Sequence, residues 1–272
     1  MKKQLPLGFI GGGNMAEALI KGLIGGKMTT PGLCRVFDIQ PERLDYLQKV
    51  YGIQPSREAQ PVVKGSRILI LAVKPQQIPQ ALPEVVPYWT PDKLLISIAA
   101  GVTLEKLAGY FPDSPALIRV MPNTPALVLA GVSALCKNAT ATVKDLEEAA
   151  ALFRAVGETV LLDEAYLDVV TGLSGSGPAY VFVILEALAD AGVKLGLPRN
   201  LAAKLAAHTV YGAGLMACNP ERTFGQLKEM VTSPGGTTMA GLYRMEKDGL
   251  RGIIMDAVEA ATLRSKELQQ LA

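Results

Sequence analysis

Up to about residue 162, apolar positions fall in short β-rich runs near 5–10, 33–38, 67–73, 94–98, 116–120, 132–136 and 158–162. Stretches with helical spacing separate them, and this alternation predicts a parallel, doubly wound α/β sheet. After Asp163 the strand-like runs stop. The patterns near 164–173, 178–194, 198–217, 222–231, 237–247 and 250–270 all repeat with helical period. The chain therefore reads as an α/β domain over 1–163 followed by an all-helical domain over 164–272. Leu162-Asp163-Glu164 passes straight into helix, without a flexible linker.

Candidate chemistry gathers where runs end. Leu7-Gly8-Phe9-Ile10 meets Gly11-Gly12-Gly13-Asn14-Met15-Ala16, and Ala18, Leu19, Leu23 and Ile24 then recur at helical spacing. This strand, turn and helix fits the G-x-G-x-x-(G/A) dinucleotide fingerprint of a Rossmann-type sheet. Gly11 makes the bend, Gly13 leaves room for a pyrophosphate, and Ala16 allows close helix–strand packing. The second run, Cys34-Arg35-Val36-Phe37, ends at Asp38. Its carboxylate either accepts both ribose hydroxyls and repels a 2′-phosphate, or is a loop residue ahead of the helix that Pro41 begins.

In a doubly wound sheet, ligands lie beyond the carboxyl ends of the strands. Val73-Lys74-Pro75-Gln76 places donors there, with a solvated loop as the alternative for Lys74. Ala99-Ala100-Gly101 is small enough for a flat ring to approach the backbone, and Met121-Pro122-Asn123-Thr124-Pro125 carries the Asn123 amide at a rigid tip. In the helical half, Ser174-Gly175-Ser176-Gly177-Pro178 reads as a polar cluster before a helix start. Ser176 either caps that helix or forms a wall of a substrate site. Ser233-Pro234-Gly235-Gly236-Thr237-Thr238 reads as a turn before a new helix. Free N–H groups there suit a carboxylate or phosphate; the alternative is a helix corner capped by Ser233.

Composition narrows the class. The 27 Lys and Arg against 25 Asp and Glu are dispersed, which argues against nucleic acid as a partner. Cys34, Cys136 and Cys218 show no metal-ligand spacing, and reduced thiols in a cytoplasmic protein are expected. Glycines 11–13 end the first apolar run too early for a signal peptide, and Val120–Cys136 and Val169–Leu185 contain Pro, Gly, Asn or Ser. A soluble protein is expected. Its mean hydropathy of +0.26 points to apolar helical surface buried against a second copy.

His208, the one histidine, lies in an apolar helical pattern and reads as a core or interface residue. No His–carboxylate pair offers the general base of a 2-hydroxyacid dehydrogenase. The pattern from Pro178 to Ala191 has no lysine, against a 3-hydroxyacid dehydrogenase. Reduction of an imine fits better, because its nitrogen is protonated before hydride arrives and then needs only a positioned hydroxyl or water.

Gly8 to Ala16, Val73-Lys74-Pro75, Arg119 to Pro125, Gly175 to Tyr180 and Ser233 to Thr238 together resemble the pyrroline-5-carboxylate reductase family, in order over nearly the whole chain. The resemblance implies a helical dimerisation and substrate-binding domain, and reduction of L-1-pyrroline-5-carboxylate to L-proline with NADH or NADPH. Gly11, Gly13, Asn14, Met15, Asp38, Val73, Lys74, Pro75, Ala99, Ala100, Gly101 and Asn123 are the expected cofactor contacts. By similarity Ser233, Gly235, Gly236 and Thr237, with Ser176, hold the substrate, and Thr238 places its hydroxyl near the ring nitrogen. No metal is implied. Homodimers are, with decamers in some relatives and each site shared between two copies. Glu221 matches a site-proximal glutamate of some relatives, although its flanks carry no pattern. Many relatives have small, Asn or Arg residues after the second strand, so Asp38 predicts NADH at least comparable to NADPH, with dual use as the alternative because Arg43 is near. The alternatives are a reductase for another cyclic imine or a 2-oxoacid, distinguished by turnover of open-chain keto acids, and a nucleotide sensor without hydride transfer.

Overall fold

The computed structural model describes residues 4–219 and 221–271. They form two compact units: residues up to 176 joined by those from 260 on, and residues 177–259. The first unit is built on strands β1 (Leu7–Ile10), β2 (Cys34–Phe37), β3 (Gln54–Ser56), β4 (Ile68–Leu71), β5 (Leu94–Ser97), β6 (Ala116–Met121), β7 (Gly131–Lys137) and β8 (Gly157–Leu161). They lie in the order β3-β2-β1-β4-β5-β6-β7-β8. Helices α1 (Asn14–Gly25), α2 (Pro41–Tyr51), α3 (Ala59–Lys64), α4 (Ile78–Val85), α5 (Leu104–Ala108), α6 (Val143–Phe153) and α7 (Leu167–Val170) belong to the same unit.

Burial explains the sheet. β1, β4 and β5 are covered on both faces, as crossover helices require. Alternate residues feed two separate cores: Phe9, Ile68, Ile70, Ile96, Ile118 and Val120 pack on one side, and Ile10, Leu69, Leu71, Leu95 and Leu117 on the other. Each such side chain contributes roughly 1.5–3 kcal/mol on burial.

Two features depart from the pattern read in the sequence. The sheet is not wholly parallel, because β6 and β7 pair antiparallel. Their connection holds only the 3-10 turn Thr124–Val128, without a crossover helix, so the chain reverses there. β3, unannounced by any apolar run, is a three-residue edge strand containing Pro55, which an edge tolerates.

From Glu164 to Lys194 helical segments follow one another with a bend at Ser176, and an 18-residue window of this run has mean hydropathy 1.3. Among the described residues this run alone is long and apolar enough to cross a membrane by length and composition. Its middle is the π-helical stretch Thr171–Gly175, where Ser176 N–H donates to the Thr171 carbonyl at 2.8 Å. The polar cluster expected before a helix start does precede one: after the widened turn Thr171–Gly175 and a bend at Ser176, a new helix begins at Gly177.

The second unit comprises α8 (Gly177–Lys194), α9 (Arg199–Ala217), α10 (Phe224–Met230), α11 (Thr237–Lys247) and the first half of α12 (Leu250–Leu271). Its fully buried residues are small: Ala189, Ala202 and Ala206. Phe182, Leu195, Tyr211 and Met255 stay more than half exposed. So large an apolar surface is that of a chain that associates.

The end of α12 belongs with the first unit. Buried Asp168 on α7 accepts hydrogen bonds from Ser265 Oγ at 2.7 Å and Gln269 Nε2 at 2.6 Å. Lys106 Nζ donates to the Gln269 carbonyl. Replacing Asp168 by Ala strands both donors, so the urea midpoint at fixed protein concentration should fall by the equivalent of about 2–3 kcal/mol. An unchanged midpoint would show that this tether contributes nothing.

Candidate active site at the switch point of the sheet

The chain leaves β1 for β2 on one side and returns to β4 on the other, so a crevice opens beyond the carboxyl end of β1. The ladder continues just past the strands: Gly11 N–H donates to the Phe37 carbonyl at 2.8 Å, and Ala72 N–H to the Ile10 carbonyl at 2.8 Å. Gly11 has φ +96°, and a Cβ there would meet the Ala72 carbonyl oxygen at 2.9 Å. Glycine is required on both counts.

Gly13 differs. Its φ is ordinary and a Cβ would meet nothing within 4 Å, so the space beside it is open. It is the N-cap of α1 and supplies no side-chain cap. The first N–H groups of α1 thus face the open space, the arrangement that receives an anion. This cradle fits a dinucleotide pyrophosphate. Around it lies a cleft of about 780 Å³ lined by Gly11, Gly13, Asn14, Asp38, Val73 and Lys74 among others.

Asp38 is fixed by two backbone donors, Gly12 N–H to Oδ2 at 2.6 Å and Gln40 N–H to Oδ1 at 2.8 Å. An ionised carboxylate offers about four acceptor positions, so lone pairs remain for ribose hydroxyls. Arg43, from the first turn of α2, donates through Nε to the Gly12 carbonyl at 2.5 Å and is ion-paired with Glu17. Glu17 also accepts from the hydroxyls of Tyr46 and Tyr51 at 3.0 and 2.9 Å. Burial pushes the Glu17 carboxyl up, but the bonds from Arg43, Tyr51 and Tyr46 outweigh it and hold its pKa below the usual range. Burial also pushes the thiols of Cys34 and Cys136 up to about 12, so neither acts as a nucleophile.

The other expected cofactor residues are placed as follows. Met15 packs against the core, and Pro75 opens the 3-10 turn Pro75–Gln77 behind Lys74. Ala99 is buried, and a Cβ on Gly101 would touch Leu268 at 3.7 Å, so this loop faces the end of α12. Asn123 is committed to structure: its Oδ1 accepts from Val132 N–H at 2.9 Å and its Nδ2 donates to the Ser174 carbonyl at 3.2 Å. Met15, Pro75, Ala99, Ala100, Gly101 and Asn123 thus do not line the cleft. Arg57, Gln77 and Gln80 do line it, without having stood out in the sequence. Arg57 follows β3, so reading that strand would have exposed it.

In the second unit, Ser233 to Gly236 form a tight turn closed by Gly236 N–H to the Ser233 carbonyl at 3.0 Å. Pro234 and Gly235, the latter at φ +66°, occupy its centre, the type II combination. Gly236 rather than Ser233 is the N-cap of α11, and no side chain caps it. Thr237 and Thr238 begin a helix whose first N–H groups are open to an anion. The Ser233 hydroxyl stands over Gly236, where a Cβ would lie 2.3 Å from it. Glu221 is exposed, its N–H donating to Asn219 Oδ1 at 3.0 Å.

Sheet order, fingerprint turn and cleft together define a dinucleotide-binding fold of the Rossmann class. The family described as "NADP oxidoreductase coenzyme F420-dependent" matches residues 6–101, and that described as "Pyrroline-5-carboxylate reductase dimerisation" matches residues 164–268. A pyrroline-5-carboxylate reductase of Synechocystis is 47% identical over 97% of this chain and 98% of its own length. The structure of a pyrroline-5-carboxylate reductase from Coxiella burnetii is similar with TM-score 0.92 and 36% identity, over 98% of this chain and 99% of that one. A Plasmodium falciparum pyrroline carboxylate reductase with NADP bound gives TM-score 0.87 and 32% identity, over 99% of this chain and all of that one. The chain belongs to the pyrroline-5-carboxylate reductase family.

The open space at Gly13 makes a sharp prediction. Gly13→Ala should leave the melting temperature unchanged, since its Cβ meets nothing, yet weaken cofactor binding about 10- to 100-fold by filling the pyrophosphate approach. Unchanged cofactor binding in a folded Gly13→Ala protein would remove this cleft as the dinucleotide site.

Proposed function

We infer that this chain catalyses the NAD(P)H-dependent reduction of L-1-pyrroline-5-carboxylate to L-proline, the last step of proline biosynthesis. The observation that carries the reading is the match to relatives of that name along 97% of the chain. When bound, the reduced nicotinamide dinucleotide supplies a hydride from its C4.

The chain's own part is to bind and orient an imine whose nitrogen already carries its proton. Gly11, Gly13, Asn14, Asp38, Val73 and Lys74, which line the cleft, hold the nucleotide half of the cofactor with Met15 and Pro75 behind them, and the loops of Ala99, Ala100, Gly101 and Asn123, outside that cleft, border its nicotinamide. The uncapped start of α11, with Ser233, Gly235, Gly236 and Thr237, receives the substrate carboxylate, and Ser176 adds a hydroxyl. Thr238 sets its hydroxyl at the ring nitrogen. There the electron pair of the C=N bond becomes a lone pair as C5 accepts hydride, and a donated hydrogen bond stabilises the nitrogen through the change. The carboxylate of Asp38 beside the ribose site makes NADH at least as good a donor as NADPH.

The division of labour follows the chain, with residues 1–163 carrying the cofactor and 164–272 carrying dimerisation and substrate binding. The exposed apolar faces of α8 and α9 support a homodimer, and decamers are its further assembly. Three unpaired cysteines support a cytoplasmic setting.

The test is the initial rate of NADH and NADPH oxidation with pyrroline-5-carboxylate, with proline identified as product. Turnover with either cofactor is expected, and Thr238→Ala should lower kcat about 10- to 100-fold with a small change in KM. Binding of both cofactors without proline formation would overturn the substrate assignment. Wild-type turnover by Thr238→Ala would remove that hydroxyl from the chemistry.

A further inference from the structure

One charge arrangement in the cleft is unused by the proposed reaction. The Gly12 peptide joins two opposite charges, its N–H bound to Asp38 and its carbonyl to Arg43 Nε. Arg43 therefore lies beside the ribose carboxylate, where an arginine accommodates the 2′-phosphate of NADP. It is held on three sides: Nε by Gly12, Nη2 by Glu17, and its plane 5.1 Å from the centre of the Tyr46 ring. Glu17 is held as firmly, since both tyrosine hydroxyls donate to the oxygen that Arg43 leaves free. Three donors on one carboxylate keep it ionised at neutral pH, so its negative charge accompanies Arg43 permanently.

We propose that Glu17 determines cofactor specificity: by pairing with and fixing Arg43, it withholds that guanidinium from a 2′-phosphate and leaves Asp38 in control of the ribose. Glu17 is a positioning residue in this role, acting through Arg43. The inference rests on the cleft being a nicotinamide dinucleotide site. Any effect of Glu17 on the pyrophosphate is common to both cofactors and cancels in their ratio.

The test is calorimetric binding of ADP-ribose and 2′-phospho-ADP-ribose to the full chain, which needs no substrate or turnover. Glu17→Gln keeps an acceptor for the phenols but removes the charge. It should improve binding of the 2′-phosphorylated probe relative to the other by about three- to ten-fold. The Glu17→Gln/Arg43→Ala double variant should lose that gain. Tyr46→Phe, which removes one exposed hydroxyl, should shift the ratio less in the same direction and serves should Glu17→Gln not fold. An unchanged or reversed ratio in Glu17→Gln and Tyr46→Phe would overturn the proposal. So would a ratio that responds only to Arg57→Ala, which would put 2′-phosphate recognition at the β3 side of the cleft. Failure of the wild-type chain to bind either probe would instead overturn the dinucleotide site itself.

Discussion

The cofactor edge depends on the peptide group of Gly12. Its N–H donates to Asp38 and its carbonyl accepts from Arg43, so one residue ties the turn after β1 to the end of β2 and the start of α2. Hydrogen bonds to charged groups contribute about 1.5–3 kcal/mol each, enough to set the turn before any ligand arrives. The three adjacent glycines then have three different causes. Gly11 needs a left-handed φ and close contact with Ala72; at Gly12 a Cβ would press on the tip of Leu47, 2.9 Å away, and crowd Val36 and Asp38; Gly13 borders open space.

Much of this was legible in the sequence, because the strands are short and apolar and the central ones, β1, β4 and β5, are buried on both faces. Every run of that kind became a strand, and Pro41 begins α2 as its fixed φ favours. What escaped notice lacked a local signal. β3 has three residues and a proline, and pairs only through β2. The reversal at β7 is set by the absence of a helix between 122 and 130, which periodicity does not encode. The π-helical turn at Thr171–Gly175 has the composition of a loop. Among site residues, Asp38 and the glycines could be read, since their chemistry is tied to the end of a strand. Glu17, Tyr46 and Tyr51 could not, because they meet across 26 to 34 residues of chain. The return of α12 to the first unit was hidden for the same reason: helical period reveals a buried face but not its partner.

The two proposed binding sites use one physical device. α1 and α11 both start at a glycine that offers no side-chain cap, and each leaves backbone N–H groups for an anion. The first suits a pyrophosphate beside a ribose carboxylate, and the second a small carboxylate beside two threonine hydroxyls. Neither requires a histidine or a metal, in keeping with a reaction in which an already polarised C=N bond needs chiefly to be held. The helical unit that carries the second device buries little more than three alanines of its own, so its stability is tied to self-association.

Both binding sites serve direct hydride delivery to the imine carbon. It is tested most directly with NADH fully deuterated at C4 and pyrroline-5-carboxylate, followed by mass and NMR analysis of the proline formed. A single deuterium is expected, at C5 and in one stereochemical position. Unlabelled proline, or deuterium at any other carbon, would contradict it.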